Sequence, residues 1–228
     1  MWLNKEHTDN IAIKAYRTTL LHSCPNHIVI DNLFNAAKLD DVLSILKQPN
    51  QWQTQQHTYS ALYVDSDQWQ QALDNQRFVQ RDIWQRKAHT PSNDTAHAFL
   101  SFLRDDIFMS FLSRIFNIEL TDINVADPII NTNYFRLSRA DFVRQHADDS
   151  PGRQVCMLLY LNKAWQPDAG GELAFKGCDN NPIRITPRYN RCVLFDPSSK
   201  GSEHWVEALN KEHSQRYRYN VTSWYWSE

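Results

Sequence analysis

The segment Gln145-His146-Ala147-Asp148 sets an imidazole and a carboxylate two residues apart, and a second imidazole, His204, follows well downstream. Two neutral imidazoles and one carboxylate gathered on one side of Fe(II) leave about three coordination positions open, the arrangement by which non-haem iron holds a cosubstrate and O2 together. The spacing suits that task. On a strand, residues two apart point the same way, so His146 and Asp148 can grip one ion while Ala147 faces away and Asp149 points elsewhere. His204 completes the set if the intervening chain folds back as antiparallel strands. A lone His-x-Asp also reads as a surface loop, since nine histidines and 26 acidic residues generate such pairs by chance. The surrounding elements decide between the two.

Downstream, Leu158-Leu159-Tyr160-Leu161-Asn162 is an apolar strand ending in a turn, and Gly170-Gly171-Glu172-Leu173 reopens a strand after a loop bearing Trp165. Ile183-Arg184-Ile185-Thr186-Pro187 and Cys192-Val193-Leu194-Phe195 then lead to His204, and Arg218-Tyr219-Asn220-Val221-Thr222-Ser223-Trp224-Tyr225 closes the series. In this order, from about Asn133 onward, the chain resembles the prolyl-4-hydroxylase-type branch of the 2-oxoglutarate/Fe(II) dioxygenases, with a fainter echo in His27-Ile28-Val29-Ile30-Asp31-Asn32-Leu33-Phe34. The resemblance implies His146, Asp148 and His204 as iron ligands. It implies Arg218 as the partner of the distal carboxylate of 2-oxoglutarate, Tyr160 as a second donor to it, and Thr222 as an aid. An arginine suits that role because its planar fork offers a carboxylate two charge-assisted hydrogen bonds. Within an aromatic strand, a guanidinium without such a partner would cost several kcal/mol. Arg216 shares a strand face with Arg218 and stays a rival for the carboxylate. Where the family often has a tyrosine and a glycine shortly before its His-x-Asp, this chain reads Phe135-Arg136-Leu137-Ser138-Arg139-Ala140-Asp141-Phe142.

The cofactors implied are Fe(II), 2-oxoglutarate and O2, with ascorbate a candidate for rescuing oxidised iron. The reaction implied is hydroxylation of a prolyl residue in a protein or peptide, releasing succinate and CO2. Hydroxylation of a free amino acid or other small molecule by the same chemistry stays open, and Arg136, Arg139, Arg144 and Arg153 are the cations that could line a pocket for an acidic one. As surface arginines they need no ligand. The carboxylate of Asp148 disfavours halogenation. A jelly-roll binding or sensor module without turnover is a further reading, although all three candidate ligands are present; a zinc hydrolase would lack a general base beside the triad and leave Arg218 unexplained. Gly170-Gly171 reads as a turn and Trp165 as packing.

The scaffold that must position these groups follows from pattern and length. The 228 residues suit a single oxygenase domain, with 1–117 as a helical and variable part and 118–228 as the catalytic core. Leu39, Val42, Leu43 and Leu46 form one helix face ending before Pro49, and a second helix is expected over 94–117 with Ile107, Phe108, Phe111, Leu112 and Ile115 inward and Arg104, Asp105 and Asp106 in solvent. Residues 50–92 are Gln-rich with scattered tryptophans and take no definite pattern; they frame a substrate entrance or pin loops to the core. Short β-rich runs follow at 119–125, 129–137, 155–162, 172–175, 183–185, 192–195, 204–208 and 217–226. The fold expected is mainly β with flanking helices, a double-stranded β-helix (jelly roll) whose N-terminal helices pack on one sheet.

A net charge of -2 carries no basic footprint, so nucleic-acid binding is not expected. Cys24, Cys156, Cys178 and Cys192 form no Cys-x-x-Cys pair and read as free thiols. With no signal-peptide pattern at the N-terminus and no run approaching a membrane span, a cytoplasmic protein is expected. His57, His89, His97 and His213 read as structural or solvent residues.

Overall fold

Side-chain alternation along the strands organises the architecture of the chain, whose computed structural model describes residues 1–86, 94–123, 125, 127–179, 181–210 and 217–227. Eleven strands are formed among them: β1 (His27–Asp31), β2 (Trp52–Thr58), β3 (Arg77–Trp84), β4 (Thr132–Leu137), β5 (Phe142–Val143), β6 (Arg153–Tyr160), β7 (Leu173–Phe175), β8 (Ile183–Ile185), β9 (Arg191–Phe195), β10 (His204–Val206) and β11 (Arg218–Trp226). The larger sheet runs β1-β9-β6-β11-β4-β3-β2 with β5 beside β3, and the smaller runs β10-β7-β8. All of these pairings are antiparallel.

On β6, Val155, Met157 and Leu159 belong to one buried cluster, and Cys156, Leu158 and Tyr160 to another. β9 alternates likewise, Cys192 and Leu194 against Val193 and Phe195. The first cluster fills the space beneath the helices α1 (Asn10–His22), α2 (Ala36–Leu46), α4 (Thr95–Phe102) and α5 (Asp106–Phe116). The second lies between the two sheets, where Leu173, Phe175 and Ile185 of the smaller sheet meet β6 and β9. Two facing antiparallel sheets with helices on the outer face of one are the jelly roll expected from the strand series. At about 1.5–3 kcal/mol for each fully buried large apolar side chain, both clusters contribute substantially to holding the layers together.

The helix over 94–117 is broken. Asp105, in extended conformation, accepts a hydrogen bond from the backbone N–H of Ile107 (2.8 Å) and caps a separate helix α5, leaving Ile107 exposed. A side chain that caps a helix ends the preceding one, although the apolar period reads through. Arg104, expected in solvent, is instead half-buried: it pairs with Asp122 and donates to the Trp224 carbonyl (2.7 Å), clamping β11. The run 119–125 forms no strand among its described residues, only a bridge from Thr121 to Trp226. The patternless 50–86 stretch holds β2, the short helix α3 (Ser66–Gln71) and β3, so residues before 117 supply three strands of the larger sheet as well as helices.

The cysteines also depart from expectation. Cys24 and Cys178 form a disulfide with Cα atoms 5.7 Å apart, within bridging range. Their separation of 154 residues gives no local signal; the fold joins them by laying the loop at Gly177 against Gly201 (N to O 3.1 Å) beside the start of β1. Cys156 and Cys192 are free and buried. No helix among the described residues is long and apolar enough to cross a membrane.

Candidate active site

His146 and Asp148 lie just beyond β5 and not on a regular strand. A main-chain bridge does the strand's work: His146 N–H donates to the His204 carbonyl (3.0 Å) and His204 N–H to the His146 carbonyl (2.9 Å). The two imidazole centroids are thereby 4.3 Å apart. Each ring also bonds through Nδ1 to a carbonyl two residues earlier, His146 to Arg144 O (2.8 Å) and His204 to Ser202 O (3.0 Å). A carbonyl only accepts, so Nδ1 carries the proton and Nε2 is left with its lone pair.

The Asp148 carboxylate completes the group. Its Oδ2 is 3.8 Å from His204 Nε2, and one donor atom from each of the three residues lies within 4.8 Å of the others, a spacing able to hold a metal ion. Trp224 Nε1 donates to Asp148 Oδ2 (2.7 Å), while Arg153 Nη1 sits 3.2 Å from Oδ1 and donates to the Asp148 carbonyl (2.8 Å). Burial alone would raise the Asp148 carboxyl, but His204, His146, Arg153 and the Trp224 N–H together hold it below the usual range. Burial, with His146 nearby, pushes His204 down to about 4 and keeps its imidazole neutral.

The same cavity extends to Arg218. Alternation on β11 turns Arg218, Asn220, Thr222 and Trp224 toward it together. The Arg218 guanidinium is 1% exposed; Nε donates to Gly171 O (2.7 Å), Nη1 to Asn220 Oδ1 (2.9 Å), and Nη2 has no partner. Tyr160 flanks it, with the guanidinium 4.9 Å from the ring centroid, and its buried hydroxyl is likewise unpartnered. Burial pushes the Tyr160 phenol up to about 12 despite the adjacent Arg218. Thr222 Oγ1 accepts from Asn220 Nδ2 (2.9 Å), which leaves its own proton to donate. Two buried donors without acceptors cost about 1–3 kcal/mol each; a carboxylate supplies acceptors for both. The residues present therefore fit a metal at one end of the cavity and a carboxylate at the other.

Gly170-Gly171 is more than a turn. Gly171 has φ +72, and a Cβ there would stand 3.2 Å from Arg218 Cδ and 3.1 Å from the Trp165 ring, so its lack of a side chain lets its carbonyl reach the guanidinium. Trp165 packs here and donates to Gly170 O (3.1 Å).

Outside the cavity opens a cleft of about 740 Å³ bordered by Tyr59, Leu62 and Tyr63 of the β2–α3 loop, by Phe78 and Arg81 of β3, and by Trp224. His57 lines it too, buried and held by the Tyr63 N–H on its Nδ1 (2.8 Å). His57 and Arg81 carry no motif, and only their meeting with the triad marks them. The four arginines considered as a common pocket do not form one: Arg136 pairs with Asp82 between Trp52 and Tyr217, Arg144 pairs with Asp74, Arg139 is exposed, and Arg153 alone borders the cleft. His97 packs at a tilt against Trp84, away from the site. Arg216, His89 and His213 lie outside the described residues.

Comparison with known proteins agrees with this geometry. Residues 132–226 match the family model of the 2OG-Fe(II) oxygenase superfamily. A 125-residue stretch is 27% identical to the prolyl 3-hydroxylase OGFOD1 of Mus musculus, covering 52% of this chain and 21% of that protein, so the match spans about a fifth of the relative's length. Among solved structures, a Pseudomonas putida prolyl-4-hydroxylase superposes with TM-score 0.63 at 17% identity, covering 95% of this chain and 99% of that one. A Trichoplax adhaerens prolyl hydroxylase, solved with a hypoxia inducible factor oxygen degradation domain peptide fragment, gives 0.66 at 20% identity over 94% and 89%. At such identities the likeness is one of fold.

Proposed function

We propose that this chain, whose residues 132–226 match the family model of the 2OG-Fe(II) oxygenase superfamily, is an Fe(II)- and 2-oxoglutarate-dependent dioxygenase that hydroxylates a prolyl residue of a protein or peptide. One observation carries the reading: a single cavity holds a His-Asp-His set with bare Nε2 atoms at one end and an unpartnered Arg218 guanidinium edge at the other. His146, Asp148 and His204 would hold the iron. Arg218 would take the distal carboxylate of 2-oxoglutarate, Tyr160 and Thr222 lending hydroxyls. Iron, 2-oxoglutarate and O2 bound there supply the oxidising power to hydroxylate a C–H bond, with succinate and CO2 released. The chain's own part is orientation and exclusion of water. Main-chain carbonyls fix the ligand tautomers, Trp224 and Arg153 hold the carboxylate, and Leu158, Leu173 and Val206 give the cavity its apolar walls. The prolyl substrate is supported by the relatives, which are prolyl hydroxylases, and by a cleft open enough for a polypeptide. In this reading residues 1–228 act as one unit, and ascorbate re-reduces iron oxidised in uncoupled turnover.

The test is anaerobic titration of the metal-free protein with Fe(II) and 2-oxoglutarate, followed by succinate assays on proline-containing peptides and free amino acids. A weak visible charge-transfer band that needs both additions and is lost in His204→Ala is expected. Absence of the band in the wild type would sink the dioxygenase reading, and turnover of free amino acids alone would sink the peptide substrate.

A further inference from the structure

Arg81 stands where the outer cleft meets the inner cavity; like His146, Asp148 and Trp224, it borders both. Its guanidinium is held as a surface arginine's is not. Nε donates to the buried Gln55 Oε1 (3.2 Å), and the guanidinium carbon lies 3.5 Å from the centroid of the Phe135 ring. The fork is thus aimed by a neighbour on β2 and another on β4, with little rotamer freedom left to lose on binding.

Its two Nη groups, however, have no hydrogen-bond partner among the described residues, and no carboxylate there lies within ion-pair range. Asp148 is near enough to favour the charge but is engaged by Trp224 and Arg153. Burial pushes Arg81 down to about 10, which still leaves it cationic at neutral pH. The distal carboxylate of 2-oxoglutarate does not explain this second cation, because Arg218 with its own free Nη2 already meets that need. What remains is a group entering from the cleft.

We infer that Arg81 anchors the substrate, its Nη groups donating to an oxygen acceptor within a few bonds of the carbon to be hydroxylated. The substrate class this selects carries a carbonyl or carboxylate close to, but not on, the reacting carbon. A peptide-bonded proline offers the carbonyl and a free amino acid the carboxylate. The inference rests on the dioxygenase reading and names the contact by which that site recognises its substrate.

The experiment loads wild type, Arg81→Gln and Arg81→Lys anaerobically with Fe(II) and 2-oxoglutarate, and measures relaxation of probe protons by the paramagnetic iron. The probes are N-acetyl-L-proline amide, N-acetyl-L-proline and L-proline. Wild type is expected to bring at least one probe close to the iron with an affinity about tenfold or more above that of Arg81→Gln, as loss of a hydrogen bond to a charged group predicts. Arg81→Lys keeps the charge without the planar fork and is expected to fall between them; its shift decides the matter should the glutamine chain fail to fold. Preference for the amide identifies a peptide carbonyl, and preference for the acids a free carboxylate. Equal affinity in wild type and variants, including no approach to the iron by any probe, overturns the inference. The charge-transfer band recorded on the same samples keeps the claims apart: its absence in wild type removes the dioxygenase reading and this inference with it, whereas a band with equal affinities removes this inference alone.

Discussion

The two faces of β11 and its neighbour β6 are one residue apart in sequence and opposite in character. Toward the helices the strands present Val155, Met157, Leu159, Val221 and the Tyr225 ring, all fully buried in the apolar cluster, with Ser223 the polar exception, bonded to Thr132 (2.6 Å). Toward the smaller sheet β11 presents Arg218, Asn220, Thr222 and Trp224, each tied by directional hydrogen bonds. The first face stabilises through area and tolerates shape change at graded cost. The second depends on individual hydrogen bonds and on the unpartnered Nη2 of Arg218. Stability and chemistry are thus separable on the same strands, and substitutions on each face should report on one and spare the other.

The largest effect expected is from Asp148→Ala, which removes a candidate ligand and leaves Arg153 without its carboxylate: succinate formation and the charge-transfer band should both vanish while urea denaturation stays cooperative. Turnover retained at even a few per cent would show that the polar face is not the seat of the chemistry. Next, Leu159→Ala on the helix-facing side should cost about 2–5 kcal/mol in urea denaturation with KM for 2-oxoglutarate unchanged at temperatures where the protein stays folded. A rise in that KM would mean the faces are coupled. Arg218→Lys should raise KM for 2-oxoglutarate about tenfold, read from initial rates of succinate formation, with a smaller loss of stability than Leu159→Ala.

The smallest effect lies with His57, which is pushed to about 4, first by burial and then by Arg81 and His146, against 6.5 for an unperturbed imidazole. Between those pH values the unfolded chain binds more protons than the folded one. The stability His57 contributes is therefore fully present above about pH 6.5 and drains away as pH falls toward 4. His57→Gln should flatten the acid limb of stability against pH, removing about 2 kcal/mol of the loss between pH 7 and pH 5; an unaltered limb in urea denaturation would mean that His57 takes up its proton as readily in the folded chain as in the unfolded one.

What the sequence made legible followed the same division. The strands carrying Leu158 to Tyr160, Cys192 to Phe195 and Arg218 to Trp224 stand out because at least one face is apolar, and the helix at Leu39 to Leu46 because its stripe is. β2 was illegible for the converse reason: its buried residues are Gln55, His57 and Thr58, polar groups turned toward the site, which no hydrophobic period can mark. Arg81 on β3 hid in the same way. The His-x-Asp spacing offered His146 and Asp148 as a strand pair and the family resemblance added His204, whereas the chain at His146 is held by a two-bond bridge to His204. The break at Asp105 was missed because a capping carboxylate and a solvated one look alike in sequence.

That bridge has an implication for how the site withstands mutation. The proton on each histidine is fixed by the carbonyl of Arg144 or Ser202, which belongs to the main chain and is supplied by any amino acid. Both side chains can be exchanged without disturbing the tautomers, provided the loop geometry survives. Asp148 has no such insurance, since its carboxylate is held by the side chains of Trp224 and Arg153. Drift in the sequence should therefore be silent around the two imidazoles and audible around the carboxylate, and a chain that lost Trp224 and Arg153 would keep its histidines in register beside a loosened carboxylate.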